Sequence, residues 1–298
     1  MIFILTVLSL IAFAANSILC RIALGQGYID PAGFTIIRLL SGSIALYFIL
    51  IFHQYSKKAD INSSSQDNND NLPVSKGSWL GSALLFGYAL SFSYAYGYLD
   101  TGTGALILFG AVQICMILSA LISKQKLLIG EWLGLGLACI GFVYLIYPEL
   151  TTPSLMGFVL MTISGIAWAG YTLIGKKSKT PLMDTSYNFF RTIPFVVILL
   201  LITLSSTEYS SDGIILAVLS GAIMSGVGYA IWYSALTGLT TTKAAVVQLL
   251  VPVIATIGGV IFMGEAVTTR LQISTIMVLG GIVLVLLSKQ FLSKSKLA

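Results

Sequence analysis

Two arginines, two glutamines, an asparagine and a set of aromatic residues stand among leucine, isoleucine, valine and glycine, and they carry what chemistry the interior of this chain offers. Arg38 lies in FTIIRLLSGS and Arg191 in YNFFRTIPFV, while Gln113 and Gln248 close the stretches LILFGAVQ and AAVVQ. An amide buried without a partner costs on the order of 2 kcal/mol or more, and a guanidinium costs more. Each must therefore meet a polar cavity, a neighbouring helix or a bound solute. The chemistry on offer is recognition: hydrogen bonding by Asn16, Ser17, Gln113 and Gln248, charge by Arg38 and Arg191, and stacking by Tyr88, Phe92, Tyr171, Tyr229 and Trp232. Each also has a structural reading, as glue between helices or as packing, and the sequence leaves the two readings open.

Bond-making chemistry has less support. No Asp or Glu falls near the middle of an apolar segment, the single histidine, His53, lies at a segment end, and HExxH, GxSxG and P-loop patterns are absent. An enzyme working inside a membrane would need such a cluster, and so would a carboxylate proton relay. Cys20, Cys115 and Cys139 sit in apolar segments without paired spacing, so neither a disulfide framework nor a metal site is expected, and no cofactor. Glu265 and Lys243 read as interfacial charges, and Asp100 as the N-cap of the segment that follows it.

The elements that must position these residues follow from composition. The chain is 57% hydrophobic and 9% charged, with a mean hydropathy of +0.95, which excludes a soluble globular domain. Crossing ~30 Å of hydrocarbon takes about 20 helical residues. Ten segments qualify: 3–24, 31–53, 79–99, 101–123, 130–147, 155–175, 185–205, 212–234, 242–263 and 270–289. Their length, with Gly and Pro inside them, predicts an all-α polytopic membrane protein; a barrel would show ~10-residue alternating strands. No Lys or Arg precedes the first segment, which favours a retained helix over a signal peptide.

The net charge of +5 describes orientation and not a nucleic-acid partner. With the N-terminus in the cytoplasm, all twelve lysines fall on the cytoplasmic side or at a cytoplasmic helix end, so both termini are expected there.

The chain also repeats itself. A shift of 140 aligns residues 80–146 with 220–286, SLIAFAANSILCR overlays SGIAWAGYTLIGK, and Arg38 overlays Arg191 at a mirrored depth. The change of offset between these pairs is absorbed by a Ser/Asn/Asp-rich stretch, 54–78, which reads as a polar cytoplasmic loop. Each half, 1–148 and 154–290, then holds five spans, and 291–298 is a tail. Five is odd, so the second half enters from the opposite face, giving ten transmembrane helices in two inverted five-helix repeats.

The order Asn16, Arg21, Pro31 and Arg38 in the first repeat, then Trp168, Lys176, Pro181, Arg191, Pro252 and Gly264-Glu265 in the second, resembles the drug/metabolite transporter superfamily, in its ten-span EamA type. Phe13, Val112 and Gln125 depart from the pattern of that family. The resemblance implies transport of a small organic molecule, commonly export, with the cell membrane as location and lipid and substrate as partners. Alternating access through a cavity shared by the halves is the expected mechanism; a channel or a structural membrane protein is the alternative. The spacing of Gly130 and Gly134 serves a contact within one chain as readily as a homodimer.

Overall fold

Backbone amides in hydrocarbon have no water to bond, so apolar runs of this length satisfy themselves as helices. The computed structural model describes residues 2–63, 76–122, 128–147, 153–175, 178–204, 209–236, 238–239 and 247–295. Among these the chain forms ten helical rods. They are α1 (Ile2–Gly25), α2 (Pro31–Ser63), α3 (Trp79–Tyr96), α4 (Thr101–Ile122), α5 (Ile129–Ile146), α6 (Leu155–Gly175), α7 (Pro181–Thr203), α8, α9 (Leu250–Met263) and α10 (Thr269–Ser295). The rod α8 has three consecutive pieces: α-helical Ser211–Val218, π-helical Leu219–Val227 and α-helical Gly228–Leu236.

Six of the rods (α1, α2, α4, α6, α7 and α8) are long and apolar enough to cross a membrane by length and composition. Among the rest, α3 is more polar for a local reason. In α3, Ser82, Ser91, Ser93, Tyr88 and Tyr96 are all buried, so its polar groups face other helices and lipid never meets them. The molecule as a whole is apolar outside: Phe3, Phe52, Ile202 and Ile276 are each more than 70% exposed, while Arg38, Asn16, Gln113 and Asn188 are buried. Lipid stabilises that distribution and water would not.

Helix ends differ from expectation in four places. Past His53, α2 continues as helix to Ser63, since propagating an existing helix costs little; residues 64–75 of the polar stretch lie outside the described residues. Pro181 starts α7 at its first helical position, where a missing N–H costs nothing. The ninth rod is broken at Leu249, between helical residues 247–248 and Leu250–Met263, where Pro252 has no N–H to donate to the carbonyl of Gln248; residues 242–246, with Lys243, lie outside the described residues. Lastly, α10 runs through most of the expected tail, to Ser295.

Contacts at the helix ends fix the direction of each half. Arg21, near the end of α1, touches Tyr96 at the end of α3, Asp100 just before α4, and Glu265 just after α9. Ile29, before α2, bridges Tyr209, before α8. Gly157, near the start of α6, abuts Leu99. The first half therefore begins its first helix at one end of the bundle, and the second half begins its first helix at the other. The opposite end holds the start of α3 and the start of α7, where Gly77 N–H donates to Asp184 (2.9 Å) and Ser78 N–H to Asn188 (2.8 Å). Packing repeats under the same exchange: α2 lies on α8 as α7 lies on α3, and α1 lies on α9 as α6 lies on α4. The halves are inverted repeats.

The tightest join pairs α5 with α10. Gly134 and Gly281 face each other there, and a Cβ on either would strike the other's carbonyl. A Cβ on Gly130 would meet Ser288. The Gly130 and Gly134 spacing thus serves a contact within one chain.

Candidate functional site

Five helices and the turn before α9 meet around a cavity lined by Phe13, Asn16 and Ser17 of α1, Tyr88 and Phe92 of α3, Leu108 and Phe109 of α4, Trp168 of α6, Tyr229 of α8, and Gln248. Both halves contribute. The cavity measures about 20 Å³, room for one water and for no organic solute. Its walls are aromatic rings in mutual contact. Trp168 is the hub, with centroids 4.8 Å from Tyr88, 5.5 Å from Tyr171 and 5.4 Å from Tyr229, the last stacked at 20°.

The polar edge is built by a clip between halves. Asn16 accepts from the Ser220 hydroxyl (2.7 Å) and donates to the Ser225 hydroxyl (3.3 Å), while Ser225 donates back to the Ser220 carbonyl (2.9 Å). The last bond spans five residues, the period of a π-helix, so the hydroxyls that grip Asn16 also mark the π-helical piece of α8. Asn16→Ala would leave two buried hydroxyls without this partner and is expected to lower stability by about 2 kcal/mol. A melting curve of the purified protein checks it.

Arg38 lies behind this wall, 2% exposed. Its Nη2 donates to the Tyr88 hydroxyl (3.0 Å), and its guanidinium carbon sits 4.9 Å from the Phe92 ring centroid and 5.3 Å from that of Tyr88. Its Nη1 is buried without a hydrogen-bond partner.

The remaining expected residues divide between wall and surroundings. Ser17, Tyr88, Phe92, Tyr229 and Gln248 line the cavity. Trp232 packs edge-on against Phe13 (5.7 Å) and Tyr171 against Trp168, donating its hydroxyl to Thr185 (3.2 Å); both stand one layer back. Gln113 is buried in α4 away from the cavity lining. Arg191 is at the far end of the bundle, bonded to the Lys76 carbonyl with its guanidinium over the Trp79 ring at 5.7 Å. The repeat overlay placed Arg38 and Arg191 in equivalent settings; the segment leading into α3 gives Arg191 a partner that Arg38 lacks.

One group of residues escaped the sequence reading. At the end opposite Arg191, Glu265 accepts from Thr101 N–H (2.9 Å), from the Thr101 hydroxyl (3.0 Å) and from Arg21 Nε (3.2 Å). Arg21 also donates to the Tyr96 carbonyl (3.1 Å) and to Asp100 (3.2 Å). The carboxylate at the start of α4 is therefore supplied by the second half, through Glu265, while Asp100 pairs with Arg21. Gly264, at φ +65°, gives the left-handed turn that ends α9 and presents Glu265. Glu265 is thus a tie between halves and not a solvated interfacial charge. In sequence, its signal was the Gly-Glu pair ending the ninth span.

Comparison with known proteins agrees with this architecture. The EamA-like transporter family matches residues 1–147 and again 155–287. The chain is 44% identical over 282 residues to an uncharacterized protein of Pseudomonas aeruginosa, covering 95% of this chain and 93% of that one. It is 25% identical over 223 residues to a probable amino-acid metabolite efflux pump of Salmonella typhimurium, covering 67% and 75%. A solved crystal structure shares its fold at a TM-score of 0.61 and 16% identity, covering 93% and 94% of the two chains. Two successive family matches, each spanning one five-helix half of the bundle, place this multi-pass membrane protein among transporters of small molecules and not among enzymes: the chain belongs to the EamA-like transporter family, within the drug/metabolite transporter superfamily.

Proposed function

We propose that the protein carries a small organic molecule across the cell membrane by alternating access, with the cavity between its halves as the binding site. The observation that carries this reading is that the walls come from both inverted halves while the two ends of the bundle are held by different bonds. At one end Arg21, Thr101 and Glu265 are joined, and at the other Gly77 and Ser78 are joined to Asp184 and Asn188. Breaking one set while the other holds would open the cavity to one side at a time. A volume of about 20 Å³ corresponds to a closed state, from which the rings around Trp168 must part to admit a solute.

Orientation follows the lysine bias: both termini in the cytoplasm and the Arg21 end outside. Export is favoured by the Salmonella typhimurium relative, a probable amino-acid metabolite efflux pump. The test is counterflow in proteoliposomes with a broad metabolite panel. Saturable uptake, accelerated by unlabelled solute on the far side, is expected. Single-channel currents in a planar bilayer without saturation would favour a pore instead.

A further inference from the structure

We infer that the carried solute is a flat, singly charged organic carboxylate, and that Arg38 supplies its counter-charge from behind the Tyr88 and Phe92 rings. This rests on the carrier reading above and names the class of solute for the same cavity.

A guanidinium 2% exposed normally keeps a carboxylate beside it or has its N–H groups filled. Arg38 has neither. Among the described residues the ion pairs are those of Arg21 with Asp100 and Glu265, and Arg38 joins none. One of its terminal nitrogens bonds the Tyr88 hydroxyl, a neutral acceptor, and the other is buried with no partner. Two ring faces attract the cation but accept no hydrogen bond in the plane of the fork. A positive charge is held inside the bundle with capacity for one more acceptor.

That capacity adjoins the cavity. The two adjacent rings that Arg38 sits against are themselves cavity walls, so a rotation of Tyr88 or Phe92 brings the fork to the lumen. Among the described residues no Asp or Glu lines the cavity, and Glu265 and Asp100 are engaged by Arg21 at the bundle end. The field of the site is therefore positive, and an ammonium would meet no fixed anion. Asn16 and Gln248 add neutral hydrogen-bonding groups, and the Trp168 and Tyr229 rings, once parted, offer their faces to a planar body. Among the described residues Arg38 is the one cation against the cavity wall, and a single positive charge there matches a monoanion in lipid.

The experiment compares three solutes with one ring and three charges, benzoate, benzyl alcohol and benzylamine, by the melting temperature of the full-length purified protein. Wild type is expected to bind benzoate ~10-fold or more tightly than benzyl alcohol, with benzylamine weakest. Arg38→Gln is expected to erase the advantage of benzoate while binding benzyl alcohol within about 2-fold of wild type, which shows the ring slot intact. Arg38→Lys, which keeps the charge without the fork, should retain part of the advantage and serves where the glutamine variant does not fold. Equal binding of all three solutes, preference for the amine, no binding of benzoate at millimolar concentration, or an unchanged benzoate preference in both variants would overturn the inference. The carrier reading is judged apart from this by counterflow: a protein that binds benzoate through Arg38 but moves no solute keeps its anion site and loses its transport cycle.

Discussion

Replacing Glu265 with alanine is expected to release the Arg21 end of the bundle and expose α1 to water. The side chain is 10% exposed and accepts from three groups of the other half, two on Thr101 and one on Arg21. Losing the acceptor at the start of α4 costs about 1 kcal/mol, and separating a half-buried ion pair costs a further 1 kcal/mol or so while Arg21 keeps Asp100. A total of about 2 kcal/mol, directed at one conformation, changes its population ~30-fold. Cys20, adjacent to Arg21 and fully buried, is a native reporter once Cys115 and Cys139 are replaced by alanine. Its reaction with a water-soluble maleimide should accelerate at least ~10-fold in Glu265→Ala. Asp100→Ala removes the pair whose acid is 57% exposed, and should change the rate by less than about 3-fold, because solvent-exposed pairs contribute under ~1 kcal/mol. Equal effects of the two variants would show that the Glu265 contacts do not hold the closure.

The largest loss of folded protein is expected from Gly281→Val. A Cβ there would strike the carbonyl of Gly134 and lie 2.8 Å from the backbone nitrogen of Ala138. Both are backbone atoms of α5, so no side chain can turn aside and the two helices must separate along their length. In lipid, close backbone approach is what holds such a pair together, and a cost above about 3 kcal/mol is expected. Gly280, the preceding residue, is a built-in control: a Cβ there meets nothing within 4 Å, so Gly280→Val should fold normally. Size-exclusion yield and melting temperature of the two variants decide. Comparable loss in both would trace the effect to glycine replacement as such and not to the α5–α10 contact.

Helix number and class were legible because lipid imposes one rule on every segment, and a count of apolar runs applies it. The inversion was legible from parity alone. Single residues were less so, since a polar side chain in an apolar run announces only that it needs a partner. Asn16 found its partners more than 200 positions away, in Ser220 and Ser225, and the π-helical piece of α8 sits at that long-range contact. Glu265 lies 164 positions from Thr101 and 244 from Arg21, so a reading limited to its own segment saw a charge at a helix end. Gln113 needed no local signal to look functional, yet the structure places it in α4 away from the cavity lining. Phe13 and Trp168, among the most connected rings of the wall, stood out in sequence only through the family resemblance and not as site candidates.

Alternating access requires the two ends of the bundle to open in turn, and paired distances in one preparation test that most directly. Spin labels on Tyr98 and Val267 report the Arg21 end, and labels on Ile122 and Ser234 report the other; all four side chains are exposed. Pulsed electron-resonance distances in nanodiscs, with and without Glu265→Ala, should show the first pair lengthening while the second shortens or holds. Both pairs lengthening together, or neither moving while solute is transported, would contradict alternating access.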